Sequence, residues 1–174
     1  MLIISDTNIL SSLAAGDALP LLFQLFPNQT IYIPPAVHQE VLAGLSRRSY
    51  LIAVSEALTQ AQIQVLSLSA VEHALAQQLP SRLNRGECEA IALTQSRQAN
   101  LLSNDKRAVR YCQAQKLAVV DLADLLRLFW LNHIASYAQV EQLIVQLERI
   151  ENFVLSEGDR AKIFAPRPDQ RRRR

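Results

Sequence analysis

Four carboxylates in this chain have the spacing to act together. Asp6 directly follows the apolar run Leu2-Ile3-Ile4, and Glu40 lies in a helix expected to begin at Pro35. Glu87 opens a helix after Asn84-Arg85-Gly86, and Asp105 follows Leu101-Leu102-Ser103. Acids gathered in one place repel one another, and proteins tolerate such a cluster mainly when a divalent cation neutralises it. Hard oxygen donors with no thiolate or imidazole beside them favour Mg²⁺ or Mn²⁺ over zinc, and Mg²⁺ is held by a few carboxylates together with waters and phosphate oxygens. A phosphate ester is therefore the expected substrate class.

Each acid also has a purely structural use. Asp6 and Asp105 stand between a strand and a helix, where Asp is a favoured N-cap. Asn84 and Glu87 have the spacing of a capping box. Glu40 has Val37 and Val41 as apolar neighbours; at about 100° per residue it sits at the rim of the face that carries them, where it points to the crevice or to solvent. Asn8, Thr7 and Ser5 offer polar groups beside Asp6, either to orient it or to cap the first helix. Asp121, at a later strand-to-helix junction, reads as a plain cap. His38, His73 and His133 are scattered without a nucleophile signature, which argues against histidine base catalysis.

The elements that must carry these acids alternate. Short β-rich runs (residues 2–4, 30–33, 63–66, 101–103 and 117–120) are interleaved with helical runs (residues 17–26, 35–42, 70–79 and 87–98, then helices after Asp105 and after residue 120). This is the pattern of β-α-β units and of an α/β fold with a mostly parallel sheet. In such sheets ligands bind at the carboxyl ends of the strands, the edge to which Asp6 and Asp105 belong. From Tyr137 the alternation stops. Val140, Leu143, Ile144, Leu147 and Ile150 then mark the apolar stripe of a C-terminal helix that packs on the domain or meets a partner.

The 174 residues, 49% hydrophobic and 20% charged, are enough for one domain with a sizeable core and exclude a disordered or collagen-like chain. Of the 18 Lys and Arg, four are residues 171–174; without them 14 basic residues face 16 acidic ones, so the net +2 comes from a tail, not from a basic surface. That tail, residues 166–174, is expected to be disordered. Cys88 and Cys112 have no paired spacing and read as core thiols. The opening segment does not read as a signal peptide, and no apolar run approaches the ~18 residues of a membrane span, so a cytoplasmic protein without a membrane partner is expected.

The sequence resembles the PIN-domain ribonucleases, the fold of VapC-type toxins, over residues 1 to about 128. The resemblance rests on Ile4-Ser5-Asp6-Thr7-Asn8, Ile33-Pro34-Pro35-Ala36-Val37-His38-Gln39-Glu40-Val41, Gly86-Glu87-Cys88-Glu89-Ala90-Ile91-Ala92-Leu93 and Leu101-Leu102-Ser103-Asn104-Asp105-Lys106-Arg107-Ala108-Val109-Arg110, in that order and spacing. It implies a PIN-like three-layer fold, with a central sheet flanked by helices, in residues 1–134, to which the periodicity after Tyr137 adds a C-terminal helical extension in residues 135–165. It further implies an acidic quartet of Asp6, Glu40, Glu87 and Asp105, with Asp6, Glu87 and Asp105 holding Mg²⁺ or Mn²⁺ and Glu40 completing the shell or positioning water.

Glu89 stands as an alternative to Glu87, because two helical residues lie about 200° apart and both do not easily face one metal. The implied activity is hydrolysis of single-stranded RNA by a homodimer, as the toxin of a toxin–antitoxin pair with a cognate antitoxin. Arg82, Arg85, Lys106, Arg107 and Arg110 are the candidate phosphate contacts, Arg110 foremost by resemblance. The competing class is an inactive PIN-like module that binds RNA or protein. A haloacid-type phosphatase is disfavoured because its Asp-x-Asp pair would need an acid at position 8, which is Asn8.

Overall fold

The computed structural model describes residues 1–151 and 154–166; the expected disordered tail therefore lies, except for Pro166, outside the described residues. Five strands form one sheet: β1 (Ile3–Ser5), β2 (Ile31–Ile33), β3 (Ile63–Val65), β4 (Asn100–Leu102) and β5 (Val119–Val120). Their order is β3-β2-β1-β4-β5 and every pairing is parallel. The central strand β1 is buried throughout, as are Leu101 and Leu102 of β4, which is why they read as aliphatic runs, whereas at the edges only Ile63 of β3 is buried and β5 is half-buried.

Successive strand residues point to opposite faces, and the core divides accordingly. Ile3, Ile31, Ile33, Ile63 and Leu102 enter one cluster with α1 (Thr7–Ala15), α2 (Leu19–Leu25), α3 (Pro35–Gly44), α4 (Ile52–Thr59), α8 (Leu122–Leu131), α9 (Tyr137–Glu151) and α10 (Glu157–Phe164). Ile4 and Leu101, with the partly buried Tyr32 and Val119, enter the other, against α5 (Ala70–Gln78), α6 (Arg85–Arg97) and α7 (Lys106–Ala114). The result is the expected three-layer α/β arrangement, with all five strands parallel.

Two helices add to the sequence reading. The run at 17–26 holds α2, but α1 precedes it, capped by Asp6 and closed at Gly16. Seven of its nine residues are buried, so it shows no amphipathic stripe. α4 follows a single 3₁₀ turn and buries only Val54 and Ala57. At the C-terminus Val140, Leu143, Ile144 and Leu147 of α9 are buried against the same core as α1 and α8, whereas Ile150 is exposed. The stripe therefore packs on the domain's own helices. Cys112 is buried and Cys88 half-buried, both as free thiols. Among the described residues no helix is long and apolar enough to cross a membrane.

Candidate metal-dependent active site

The strand order fixes where the site lies. The chain runs outward from β1 to β2 and β3, then returns to β4 on the other side of β1, so the crossovers diverge between β1 and β4. At such a switch point the loops part and leave a crevice at the carboxyl ends of the strands. β1 and β4 end in register, Ser5 opposite Leu102, and Asp6 N–H donates to Leu102 O at 3.0 Å. Asp6 and the Ser103-Asn104-Asp105 turn therefore leave the sheet side by side.

Asp6 is 3% exposed. Its Oδ1 accepts from Ile9 N–H at 2.9 Å, capping α1, and its Oδ2 accepts from the Ser103 hydroxyl at 2.6 Å. Ser103 Oγ in turn accepts from Asp105 N–H at 3.3 Å, so one fully buried serine ties the two acidic turns together. Asp105 caps α7, its Oδ1 accepting from Arg107 N–H at 2.7 Å and Ala108 N–H at 3.0 Å.

Glu87 and Asn84 form the expected capping box. Asn84 N–H donates to Glu87 Oε2 at 3.0 Å, Asn84 Nδ2 to Glu87 Oε1 at 2.8 Å, and Glu87 N–H to Asn84 Oδ1 at 2.8 Å. Glu40 is half-buried on α3, and its Oε2 accepts from the Thr7 hydroxyl. α3 and α6 cross closely enough that a Cβ at Gly86 would lie 2.8 Å from Glu40 Oε1 and 3.1 Å from Val37 Cγ2. Only glycine lets Glu40 approach the start of α6 in this way.

The four acids feel one another. Burial pushes Asp6 up to a pKa of about 7, with the negative charges of Glu87 and Asp105 adding to it and the bonds from Ile9 and Ser103 partly offsetting it. Burial also raises Glu87; the Asn84 N–H and Arg107 oppose the rise, while Asp105 and Glu40 add to it. The basic group closest in effect is Arg107, whose Nη1 donates to the Arg82 carbonyl at 3.1 Å. The adjacent Cys88 keeps its proton, because burial raises its pKa and Glu87 and Glu89 raise it further, so the donor set remains carboxylate oxygen.

Glu89 is differently employed. Its carboxylate is 3% exposed; Oε2 accepts from Ala36 N–H at 2.8 Å and Oε1 from Arg85 Nε at 2.9 Å. It satisfies the N-terminus of α3, which begins with two prolines and has no side-chain cap of its own. Asp121 is a plain cap, accepting from Asp124 N–H at 2.8 Å. Asn8 is exposed on α1. Ser103 was not distinguished in the sequence, where only its place before Asn104-Asp105 marks it.

This donor set suits a hard divalent cation: two buried carboxylates, Asp6 and Glu87, pushed up by burial and by acidic neighbours, beside the half-buried Asp105 and Glu40. Among the described residues no three His, Cys, Asp or Glu side chains converge closely enough to grip one ion as they stand. The hydrogen bonds give the reason, since Glu87 turns both oxygens to Asn84 and Asp105 turns Oδ1 to α7. Glu87 therefore meets an ion only through the lone pairs its capping bonds leave, while Asp105 Oδ2 is uncommitted to α7.

Comparisons with known proteins agree with this architecture. Among solved structures, a chain of the crystal structure of VapBC2 from Rickettsia felis bound to a DNA fragment from their promoter matches with a TM-score of 0.55 and 16% sequence identity, over 70% of this chain and 98% of that one. The curated proteins contain no match. Residues 2–165 match the family described as DUF3368: PIN domain. With all five strands and the whole acidic crevice inside that match, this chain belongs to the PIN-domain family.

Proposed function

We propose that this protein is a Mg²⁺- or Mn²⁺-dependent endoribonuclease that hydrolyses phosphodiester bonds of single-stranded RNA. What supports the reading is that Asp6, Glu87, Asp105 and Glu40 share one neighbourhood at the β1–β4 switch point, near enough for Asp6 and Glu87, pushed up first by burial, to be raised further by their acidic neighbours. Asp6, Glu87 and Asp105 would hold the ion. A bound divalent cation supplies a Lewis acid for the phosphoryl oxygens and lowers the pKa of a coordinated water.

The chain's own residues do the remainder. Asp6 is held rigidly by Ile9 N–H and Ser103 O–H, which fixes its carboxylate before substrate arrives. Glu40 has Oε2 bound by Thr7, leaving Oε1 to orient the attacking water or take its proton. Arg107, beside Glu87, meets phosphate charge at the rim. The VapBC2 neighbour binds a promoter DNA fragment; by analogy this chain acts in the cytoplasm as the toxin of a pair, as a homodimer, held in check by a DNA-binding cognate antitoxin.

The test is cleavage of a fluorescent single-stranded RNA with Mg²⁺ or Mn²⁺ and its loss with a chelator. Asp6→Asn, which keeps the shape and removes the charge, is expected to lose at least about 100-fold in rate. Cleavage unchanged by Asp6→Asn sinks the assignment; RNA bound but uncut under every divalent ion identifies an inactive PIN-like module instead.

A further inference from the structure

Beside the acidic crevice lies a second feature that the catalytic reading leaves unused. A cleft of about 320 Å³ opens between α7, the start of α8 and the segment leading into α10. It adjoins the active site through Asn104, which lines it and precedes Asp105. Its volume falls at the lower end of small-ligand pockets, about 300–1,000 Å³, room for one nucleotide unit.

The lining is sorted by chemistry. Lys106 and Arg110 project from successive turns of α7, and neither forms an ion pair among the described residues. Val109 and Leu155 supply apolar surface between the polar groups. Across from α7 stand Asp121, the N-cap of α8, and Asp159, in the first turn of α10, each with one oxygen engaged: Asp121 Oδ1 accepts from Asp124 N–H at 2.8 Å and Asp159 Oδ2 from the Ser156 hydroxyl at 2.7 Å. Asp121 Oδ2 and Asp159 Oδ1 accept no hydrogen bond among the described residues.

The far wall is built, not draped. Arg127 Nη1 donates to the Ala165 carbonyl at 2.7 Å and the Ile163 carbonyl at 3.3 Å. Lys162 pairs with Asp124 at 2.7 Å, and Arg160 with Glu141 at 2.9 Å and Glu148 at 3.1 Å. These bonds fix α10 against α8 and α9, so the cleft exists before any ligand arrives.

We propose that this cleft reads the base of the RNA nucleotide flanking the scissile phosphate: Lys106 and Arg110 meet backbone phosphate, and Asp121 and Asp159 accept from the exocyclic amino group of cytosine, adenine or guanine, in preference to uracil. The inference rests on the ribonuclease reading above and deepens it with a specificity subsite. Two carboxylates repel phosphate, so the strand enters with its backbone on α7 and its base toward α10. Single-stranded RNA is recognised in this way, through splayed bases hydrogen-bonded on their edges, and a carboxylate accepting from cytosine N4 is a preferred pairing. Uracil offers no amino group to either acid.

The experiment measures anisotropy of fluorescein-labelled oligo(C) and oligo(U) with the full chain carrying Asp6→Asn, in Mg²⁺. Oligo(C) is expected to bind about fivefold tighter or more, the value of one good base contact. Adding Asp121→Asn and Asp159→Asn, which keeps an amide oxygen to cap α8 and to accept from Ser156, is expected to bring the ratio to about one. Adding Lys106→Gln and Arg110→Gln instead weakens both oligonucleotides alike and lowers the salt slope by about 1.4, at ~0.7 per phosphate contact on a single strand. Circular dichroism melting verifies that each variant is folded.

Equal affinity for the two oligonucleotides, a preference that survives both Asp→Asn changes, or an unaltered salt slope overturns the proposal. Cleavage by the wild-type chain together with any of these leaves the ribonuclease and removes the subsite. The expected ratio without cleavage in Mg²⁺ or Mn²⁺ leaves the base-reading cleft and removes the ribonuclease.

Discussion

Asp6→Asn is expected to stabilise the metal-free protein above neutral pH even as it abolishes activity. Burial pushes Asp6 up to about 7 in the fold, against 3.8 for a free carboxyl group. Below pH 3.8 it is neutral in both states and costs nothing. Between the two values the unfolded chain is ionised while the folded chain keeps the proton, so wild-type stability falls as pH rises and levels off above about 7. Fully ionised, the buried carboxylate costs about 4 kcal/mol, at 1.36 kcal/mol per pH unit. Asn still caps α1 but weakens the bonds from Ile9 and Ser103, returning roughly 1–2 kcal/mol.

The net gain is about 2 kcal/mol, which in a chain of this size raises Tm by roughly 4–8 °C. The assay is thermal unfolding of both proteins in chelator from pH 4 to 8, repeated with Mg²⁺. The Tm difference should grow with pH, and Mg²⁺ should stabilise the wild type more than the variant, by about 2.7 kcal/mol at a hundredfold excess over Kd. A difference independent of pH, or a variant less stable than wild type at pH 8, refutes the claim that burial, Glu87 and Asp105 load Asp6.

Four further substitutions separate the site from its scaffold. Glu87→Gln is expected to lower RNA cleavage at least about 100-fold with little change in Tm, whereas Glu89→Gln should cost about 1–2 kcal/mol in urea unfolding, through the α3 terminus, and leave cleavage largely intact. Gly86→Ala drives a methyl to within 2.8 Å of Glu40 Oε1; cleavage should fall by about tenfold or more, while unfolding free energy changes by only about 1 kcal/mol, the gain in helix propensity offsetting the crowding. Leu147→Ala, on the fully buried face of α9, should cost about 2–5 kcal/mol in a single unfolding transition; a separate early transition would show the extension to be an independent unit.

The layers were legible because strands buried on both faces become short aliphatic runs that helices must separate. Helix α1 was legible only at its start, through the cap at Asp6; its extent was not, since seven of nine residues are buried and full burial erases the stripe by which a helix is read. The order β3-β2-β1-β4-β5 is likewise set by crossovers, not by any local pattern. The acids at strand ends could be found from their junctions alone. The difference between Glu87 and Glu89 could not, because what occupies Glu89 is the backbone of Ala36, 53 residues away. Ser103 is hidden for the same reason: its partner Asp6 is 97 residues distant.

Capping and catalysis, which stand as rival explanations for each acid in the sequence, are complementary in the fold. An N-cap needs only one carboxylate oxygen and holds it on backbone donors that cannot drift. Asp105 gives Oδ1 to Arg107 and Ala108 and retains Oδ2; Asp6 gives Oδ1 to Ile9, and its Oδ2 accepts a single bond, from the Ser103 hydroxyl. The helix termini of α1 and α7 thus aim the second oxygens from fixed positions, and their dipoles moderate the charge that gathers there. Glu87 is the exception, with both oxygens turned to Asn84. That capping box is therefore the contact a closed ligand set has to share or give up, at the start of α6, where a Cβ at position 86 would lie 2.8 Å from Glu40 Oε1.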